Sequence, residues 1–552
     1  MKLRRQQLLL LDTVLLGVVG ALSARVFEAL LALFRHLFLD RVAGYHLLSH
    51  TADWRILIST TVGGLLSGLL VYTFAPEAEG HGTDTAVKAF HRLAGIIRAR
   101  VPVIKVLASA ITIGSGGSAG REGPTALTAA GVGSIYAQWT GRSEQDRRLL
   151  LVAGMAAGLS AIFRSPVGSA FFAVEVLYGE MEFESGALPY TLLASIVAYC
   201  VNGWFAGFGP LFNVPADLPA TTPAGYGWYA VLGVGSGLVA VVLPAILYGV
   251  RDAFRRIPCR PHFKPAIGGL LVGLVAMVLP QVLGGGYEWI QQAIDGHLGL
   301  RLLVLLAFAK MVTFALTIGS GGSGGVFAPS LYVGAMFGGM LSHFFHQPAV
   351  SFAVVGMAAV FGAAARVPIA TILMVTEMTN GYGLLVGAAL AVILSNLVQS
   401  FVTDHFHLRY ASLYEAQVPT RAHSPAHYRD QLRSALDLLR TRDAWKVPDI
   451  EGLELISLVE AGIPVRLPDG REIHQGVLRH ESDYVGQPLK SVVLGPEGQV
   501  ELILVLRRTH TLWPRPGMRL EEGDHLVAIG STAAWEAFRP NVDSLPEANA
   551  DP

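Results

Sequence analysis

Two stretches decide the fold: Lys105–Pro124, KVLASAITIGSGGSAGREGP, and Lys310–Pro329, KMVTFALTIGSGGSGGVFAP. They lie 205 positions apart and, aligned without a gap, share eleven of twenty residues, including the lysine, the TIGSGGS run and the closing proline. In each, an apolar run breaks into glycine and serine, then restarts through proline into a second apolar run (Leu127–Tyr136 and Leu331–Leu341). Within a bilayer such a break presents backbone N–H groups at the start of a half-helix, an arrangement suited to an anion. Further pairs recur at an offset of 202: Gly154–Ala157 with Gly356–Ala359, Arg164–Ser165–Pro166 with Arg366–Val367–Pro368, and Glu175 with Glu377. The pattern predicts a duplicated helical bundle.

Working outward, the composition places that bundle in a membrane. The 552 residues are 52% hydrophobic and only 15% charged, with a mean hydropathy of +0.48; soluble domains carry about 25% charge. Residues 421–552 hold 35 charged residues in 132, against 47 in the first 420, so a membrane body precedes a domain of ordinary composition. The apolar run from Leu8 continues through Phe34 without a small-residue cleavage site, which reads as a retained first helix. The N-terminal MKLRRQQ and the cluster Arg251, Arg255, Arg256, Arg260 and Lys264 read as cytoplasmic. Cys200 and Cys259 imply no disulfide framework. Several apolar segments (101–113, 166–178 and 368–378 among them) fall short of the roughly 20 residues a full span needs. Short segments in matching places of two halves point to a transporter site near the bilayer midplane.

Gly120–Arg121–Glu122–Gly123–Pro124–Thr125 resembles the GREGPT motif of the CLC chloride channel and antiporter family, and Gly325–Val326–Phe327–Ala328–Pro329 its G-x-F-x-P motif. Ala75–Ala86, APEAEGHGTDTA, sits where that family has GSGIP, and Leu408–Ser412 is similar to the segment bearing the tyrosine of its central anion site. The resemblance implies an all-α polytopic membrane protein of two inverted-topology repeats with broken helices (about 8–206 and 224–412), within residues 1–415. It implies a homodimer with one pathway per subunit, bound chloride, protons as a further possible cargo, and a multi-pass position in the inner (plasma) membrane with both termini cytoplasmic. Glu122 would be gate and proton carrier. His81, Gly120, Arg121, Gly123, Val326, Phe327 and Tyr410 would bind the anion. Lys105 would support the anion field electrostatically, with snorkelling as the alternative for it and for Lys310.

Two departures bear on mechanism. His81 stands where the family has an anion-binding serine, and Thr83–Asp84 replace Ile-Pro. Imidazole can hold an anion and add a pH term, or it can point away and leave the work to backbone groups. Val176 occupies the position after Glu175 where antiporters of the family carry an internal glutamate, so the reading is a channel-like or weakly proton-coupled pathway, with a proton-coupled chloride antiporter as the alternative. Glu180 and Glu182 follow as a substitute relay or as solvated surface charges.

Residues 474–538 resemble a TrkA-C domain, carried by Ser482–Leu489, the strand Leu502–Arg508 and Leu520–Val527. That implies a small α/β cytosolic regulatory domain with a possible nucleotide ligand, preceded by a connector (416–473) and followed by a tail (539–552). Arg507–Arg508 would meet a phosphate or end a solvated strand. A helix is expected over 428–443, with strands near Leu453–Val459, Gly476–Arg479, Glu501–Arg507 and His525–Ile529. Two rival functions are weighed: a potassium filter built on the two TIGSG runs, and a non-transporting sensor anchored by the bundle. No nucleophile–base pair, metal cluster or phosphate loop suggests an enzyme, no cofactor is implied, and nothing suggests nucleic-acid binding.

Overall fold

A computed structural model describes residues 2–44, 54–215, 222–430, 465–466, 471–490, 493–494, 500–507 and 510–543. The chain divides into two units, residues 1–417 and 418–552. The expected strand at Leu453–Val459, most of the helix at 428–443 and the end of the tail lie outside the described residues.

The first unit is helical and runs through the same series twice. The first series is α1 (Lys2–Arg35), α2 (Arg55–Phe74), α3 (Thr83–Arg92), α4 (Arg100–Gly114), α5 (Glu122–Trp139), α6 (Glu144–Phe163), α7 (Pro166–Glu175) and α8 (Leu188–Ala206). The second is α9 (Pro223–Arg256), α10 (Lys264–Ala276), α11 (Tyr287–Ile294), α12 (Leu300–Gly319), α13 (Phe327–Phe345), α14 (Ala349–Ala364), α15 (Pro368–Thr379) and α16 (Leu385–His405). Among the described residues, six helical stretches are long and apolar enough to cross a membrane, from α1, α2, α8, α9, α12 and α16. Helices α5, α6, α13 and α14 are buried over most of their length. Their glycines let backbones touch: a Cβ on Gly133 would run into the Leu150 carbonyl, and one on Gly338 into that of Phe352. Helices α3 and α11 escape a search for apolar runs, because TDTAVKAFHR and YEWIQQAI are short and mix polar with apolar residues.

Reciprocal contacts join the repeats, as a two-fold axis between equivalent elements requires. Gly120 N donates to Gly325 O at 2.7 Å and Gly325 N to Gly120 O at 2.7 Å. The Glu175 carboxylate, at the end of α7, accepts from Ile369 N (3.1 Å) and Ala370 N (2.7 Å) at the start of α15. Glu377 of α15 returns the contact, accepting from Val167 N (3.2 Å), Gly168 N (2.9 Å) and Ser165 Oγ (2.5 Å) at the start of α7. Each acid neutralises orphan N–H groups and the positive dipole end of the opposite helix.

The TIGSG runs are helix ends. Gly117 N donates to Thr112 O (2.8 Å) and Gly322 N to Thr317 O (3.1 Å), while Gly116 and Gly321 take φ of +106° and +95°, which only glycine adopts at little cost. Both threonine carbonyls are spent inside their own turns and do not line a potassium filter.

The second unit holds an antiparallel sheet of β1 (Val465–Arg466), β2 (Glu472–Leu478), β3 (Val493–Leu494), β4 (Val500–Arg507), β5 (His510–Leu512), β6 (His525–Gly530) and β7 (Val542–Asp543). The order is β1-β2-β6-β4-β3, with β5 beside β4 and β7 beside β2. Helix α17 (Thr532–Phe538), capped by Ser531 Oγ on Ala534 N, buries Trp535 and Phe538 against Leu502, Leu526 and Val542.

Candidate functional site

Helices α5 and α13 begin at the Gly120–Gly325 bridge. Their hydrogen-bond ladders start at Thr125 N to Arg121 O (3.2 Å) and Ser330 N to Val326 O (3.1 Å). The N–H groups of Glu122, Gly123, Phe327 and Ala328 therefore stand ahead of the ladders, and Pro124 and Pro329 supply none. Into this place folds the side chain of Glu122. It is 1% exposed, and its carboxylate faces the backbone N–H groups of Glu122 itself and of Ala328. A Cβ on Gly120 would overlap Glu122 Oε2 and stand 3.1 Å from Ala328 N, which puts the carboxylate beside the start of α13. Arg121 does not pair with it: its guanidinium contacts Glu28 at 3.0 Å and lies 4.8 Å over the Tyr287 ring.

Val326 and Phe327 are buried at the opposite start. The Phe327 ring sits 4.3 Å from Phe163, 4.2 Å from Phe361 and 6.3 Å from Phe172, centroid to centroid. Those three partners were not legible beforehand, since each is one phenylalanine in an apolar helix.

Lys105 and Lys310 are both 0% exposed, which rules out snorkelling. Lys105 Nζ donates to Ala78 O (3.0 Å) and Gly80 O (2.6 Å), and Lys310 Nζ to Val282 O (2.8 Å) and Gly284 O (2.6 Å). Each ties down the loop that enters the short third helix of its repeat. The Gly80 carbonyl also accepts from Gly324 N at 3.1 Å, so the Lys105 loop abuts the bridge.

His81 follows that loop. Its own carbonyl would clash with a Cβ on Gly123, which sets it against the start of α5. The ring is buried, Nε2 lies 3.2 Å from Asp84 Oδ2, and Nδ1 has no protein partner. Asp84 does not cap α3. It accepts from Glu415 N and Ala416 N, both at 3.2 Å, across more than 300 residues of sequence.

Tyr410 is not brought to this group, a correction to its expected place. Its hydroxyl donates to Asp252 Oδ2 at 2.6 Å, and its ring stacks on Tyr248 at 4.8 Å, among Arg251 and Arg409. The polar end of α9 offers a charged acceptor that the site does not. Tyr414 comes instead: it is buried, edge-on to His81 at 5.5 Å and to Phe172 at 6.2 Å.

With this geometry in view, the sequence matches the voltage gated chloride channel family over residues 63–400, more than half of the chain. The chain belongs to the CLC family. It is 30% identical over 376 residues to the H(+)/Cl(−) exchange transporter ClcA of Yersinia pestis bv. Antiqua (strain Angola), covering 64% of this chain and 78% of that one. It is 29% identical over 403 residues to the voltage-gated ClC-type chloride channel ClcB of Shigella flexneri, covering 70% and 95%. The fold is shared with a CLC-type fluoride/proton antiporter of known structure, at a TM-score of 0.65 and 24% identity over 75% of this chain and 98% of that one. Residues 474–543 match the TrkA-C domain. This CLC protein is thus a membrane anion transporter with a TrkA-C domain behind it.

Elsewhere in this CLC chain, Val176 is fully buried, Glu180 is exposed and Glu182 partly so. Glu184, not singled out from the sequence, is 8% exposed and accepts from Tyr178 Oη at 2.7 Å. In the second unit Arg507 is already occupied, by Asp524 (2.8 and 2.7 Å), Glu521 (2.6 Å) and the Arg519 carbonyl (2.7 Å). It clamps β4 to the turn before β6 and is not available as a phosphate ligand, while Arg508 lies outside the described residues.

Proposed function

We propose that this protein, as a homodimer in the inner membrane with both termini cytoplasmic, passes chloride or a similar small anion through a pathway gated by Glu122, with weak or no proton coupling. The observation that carries the reading is the Glu122 carboxylate, buried beside the starts of α5 and α13 with the N–H groups of Glu122 and Ala328 facing it. An acid in that position competes with an anion for the same N–H groups and dipole ends. Protonation removes its charge and frees the place. Val326 and Phe327 supply backbone and a narrowing ring. Gly120, Arg121 and Gly123 shape the opposite start. His81 and Tyr414 complete the site, with Tyr414 in the role first expected of Tyr410.

Weak coupling rests on Val176, an aliphatic side chain that carries no proton, and on Glu175, whose carboxylate is committed to the start of α15. Obligatory exchange is the second reading, favoured by the buried Glu184 and by relatives named as exchangers. Chloride efflux from proteoliposomes with simultaneous pH recording separates the two. The expected result is chloride movement with little uphill proton flow; uphill pumping at a fixed stoichiometry selects exchange. The TrkA-C unit is a regulatory module under this reading. Deleting residues 421–552 leaves transport in place and removes any response to adenine or cyclic dinucleotides.

A further inference from the structure

The turn that carries Tyr414 has no ladder of its own. Residues 408–417 form neither helix nor strand, so the place of Tyr414 depends on what holds the main chain around it. Leu413 N donates to Ala364 O at the end of α14 (2.8 Å), and Leu413 O accepts from Tyr248 Oη of α9 (2.7 Å). Tyr414 N donates to Ser412 Oγ (3.1 Å), a contact within the turn. The next two N–H groups, of Glu415 and Ala416, donate to Asp84 Oδ2 and Oδ1, each at 3.2 Å. One side chain from the far end of the unit thus gives both its oxygens to two successive N–H groups, and hydrogen bonds to a carboxylate are the stronger kind.

Asp84 sits three residues beyond His81, in the first turn of α3. It therefore ties the segment that brings His81 to the segment that brings Tyr414, whose ring meets His81 edge-on at 5.5 Å and whose hydroxyl faces the Thr83 side chain. The family motif has Ile-Pro in place of Thr83–Asp84, and a proline side chain accepts no hydrogen bond. Resting on the Glu122 site reading, we infer that Asp84 is a positioning residue for anion binding, which holds Tyr414 against the site by clamping the N–H groups of Glu415 and Ala416. The flanks of the turn are held separately. Arg251 of α9 pairs with the Glu415 carboxylate, and Gln417 Nε2 donates to the Tyr178 and Ala365 carbonyls (3.3 and 3.1 Å). Loss of Asp84 therefore loosens the main chain beside Tyr414 and leaves its neighbours tied. Position and charge predict opposite signs. A carboxylate acting through its charge would repel an anion, and its removal would tighten binding. A clamp on Tyr414 favours binding, and its removal weakens it.

The test is chloride titration calorimetry on the full-length Glu122→Gln protein, in which the gate carries no charge. Adding Asp84→Ala should weaken chloride binding about tenfold, near the lower value of one hydrogen bond to a charged group. In the Glu122→Gln, Tyr414→Phe protein, which has already lost the hydroxyl, the same Asp84→Ala change should alter affinity by about twofold or less. Unchanged or tighter binding after Asp84→Ala would overturn the inference. So would a loss that persists without the Tyr414 hydroxyl, the result expected if Asp84 acted through His81, whose Nε2 lies 3.2 Å from Oδ2. Should Asp84→Ala not fold, Asp84→Asn keeps one acceptor oxygen and should lose about threefold, again only while the Tyr414 hydroxyl is present. Unchanged or tighter binding there overturns the inference in the same way. Absence of chloride binding in the Glu122→Gln protein itself would defeat the underlying site reading instead, a result distinct from binding that ignores Asp84.

Discussion

After its glycine break the first repeat restarts on Glu122, and the second, 205 residues later, restarts on Phe327. Around these two positions almost everything else is paired. Lys105 and Lys310 hold equivalent loops through equivalent carbonyls. Glu175 and Glu377 cap each other's helices. Gly116 and Gly321 share a left-handed turn, and so do Arg164 and Arg366. The scaffold is symmetric because both halves solve the same problem of broken backbone in a bilayer. Two asymmetries face the meeting point: an acid against a ring, and His81 with Asp84 where the second repeat has Gly285 and Glu288. Paired residues build the site, and unpaired ones work it.

The comparison breaks most visibly at the lysines. Lys310→Met should orphan the Val282 and Gly284 carbonyls and destabilise the bundle by about 2–4 kcal/mol, and Lys105→Met by less, because Ala78 O and Gly80 O keep Ser323 Oγ and Gly324 N as donors. The thermal unfolding midpoint of the protein in detergent reads this. A Lys105 variant that keeps its midpoint and loses only transport would make that lysine an electrostatic support. Next come the reciprocal caps. Glu175→Ala and Glu377→Ala should each cost about 1–3 kcal/mol, with Glu377 the larger because it accepts from Ser165 as well as from two N–H groups. A transport defect at Glu175 without a matching one at Glu377 would give Glu175 a role of its own.

The smallest effect contrasts the two units. Burial lowers His474 and His525 in the sheet of the second unit below their ordinary 6.5. Above that value both states of the domain are neutral at these rings. As the pH falls below it the unfolded chain takes up protons that the folded rings resist, so folded stability is lost toward acid, by about 1 kcal/mol or less. Hydrogen exchange on the intact protein should quicken in β2 and β6 at acid pH, once corrected for intrinsic rates, more than in α5 and α13. Equal change in all four would remove the histidines from the explanation.

Much of the fold could be read in the chain because glycine breaks and prolines announce where a membrane helix restarts, and the duplication shows each break twice. Glu122, Val326 and Phe327 were legible for that reason: the motif is the helix start. Tyr410 was misplaced because two tyrosines four residues apart serve one short segment, and which of them turns inward depends on Asp252 and Arg251, contributed by α9. Asp84 lies in the first turn of α3, yet its partners at Glu415 and Ala416 lie at the far end of the unit, beyond any local rule. The lysines were found by repetition, while their carbonyl partners became evident only once loops 78–80 and 282–284 were in place.

The central claim, that a single acid in one repeat gates the pathway, is tested most directly by chloride flux into proteoliposomes at saturating chloride, from acid to mildly alkaline pH, for the parent, Glu122→Gln and Phe327→Leu. Flux through the parent and through Phe327→Leu should fall as pH rises and the Glu122 carboxylate returns to its place. Flux through Glu122→Gln should stay at the level the parent reaches in acid. A Glu122→Gln protein that keeps the parent's pH profile would contradict the account.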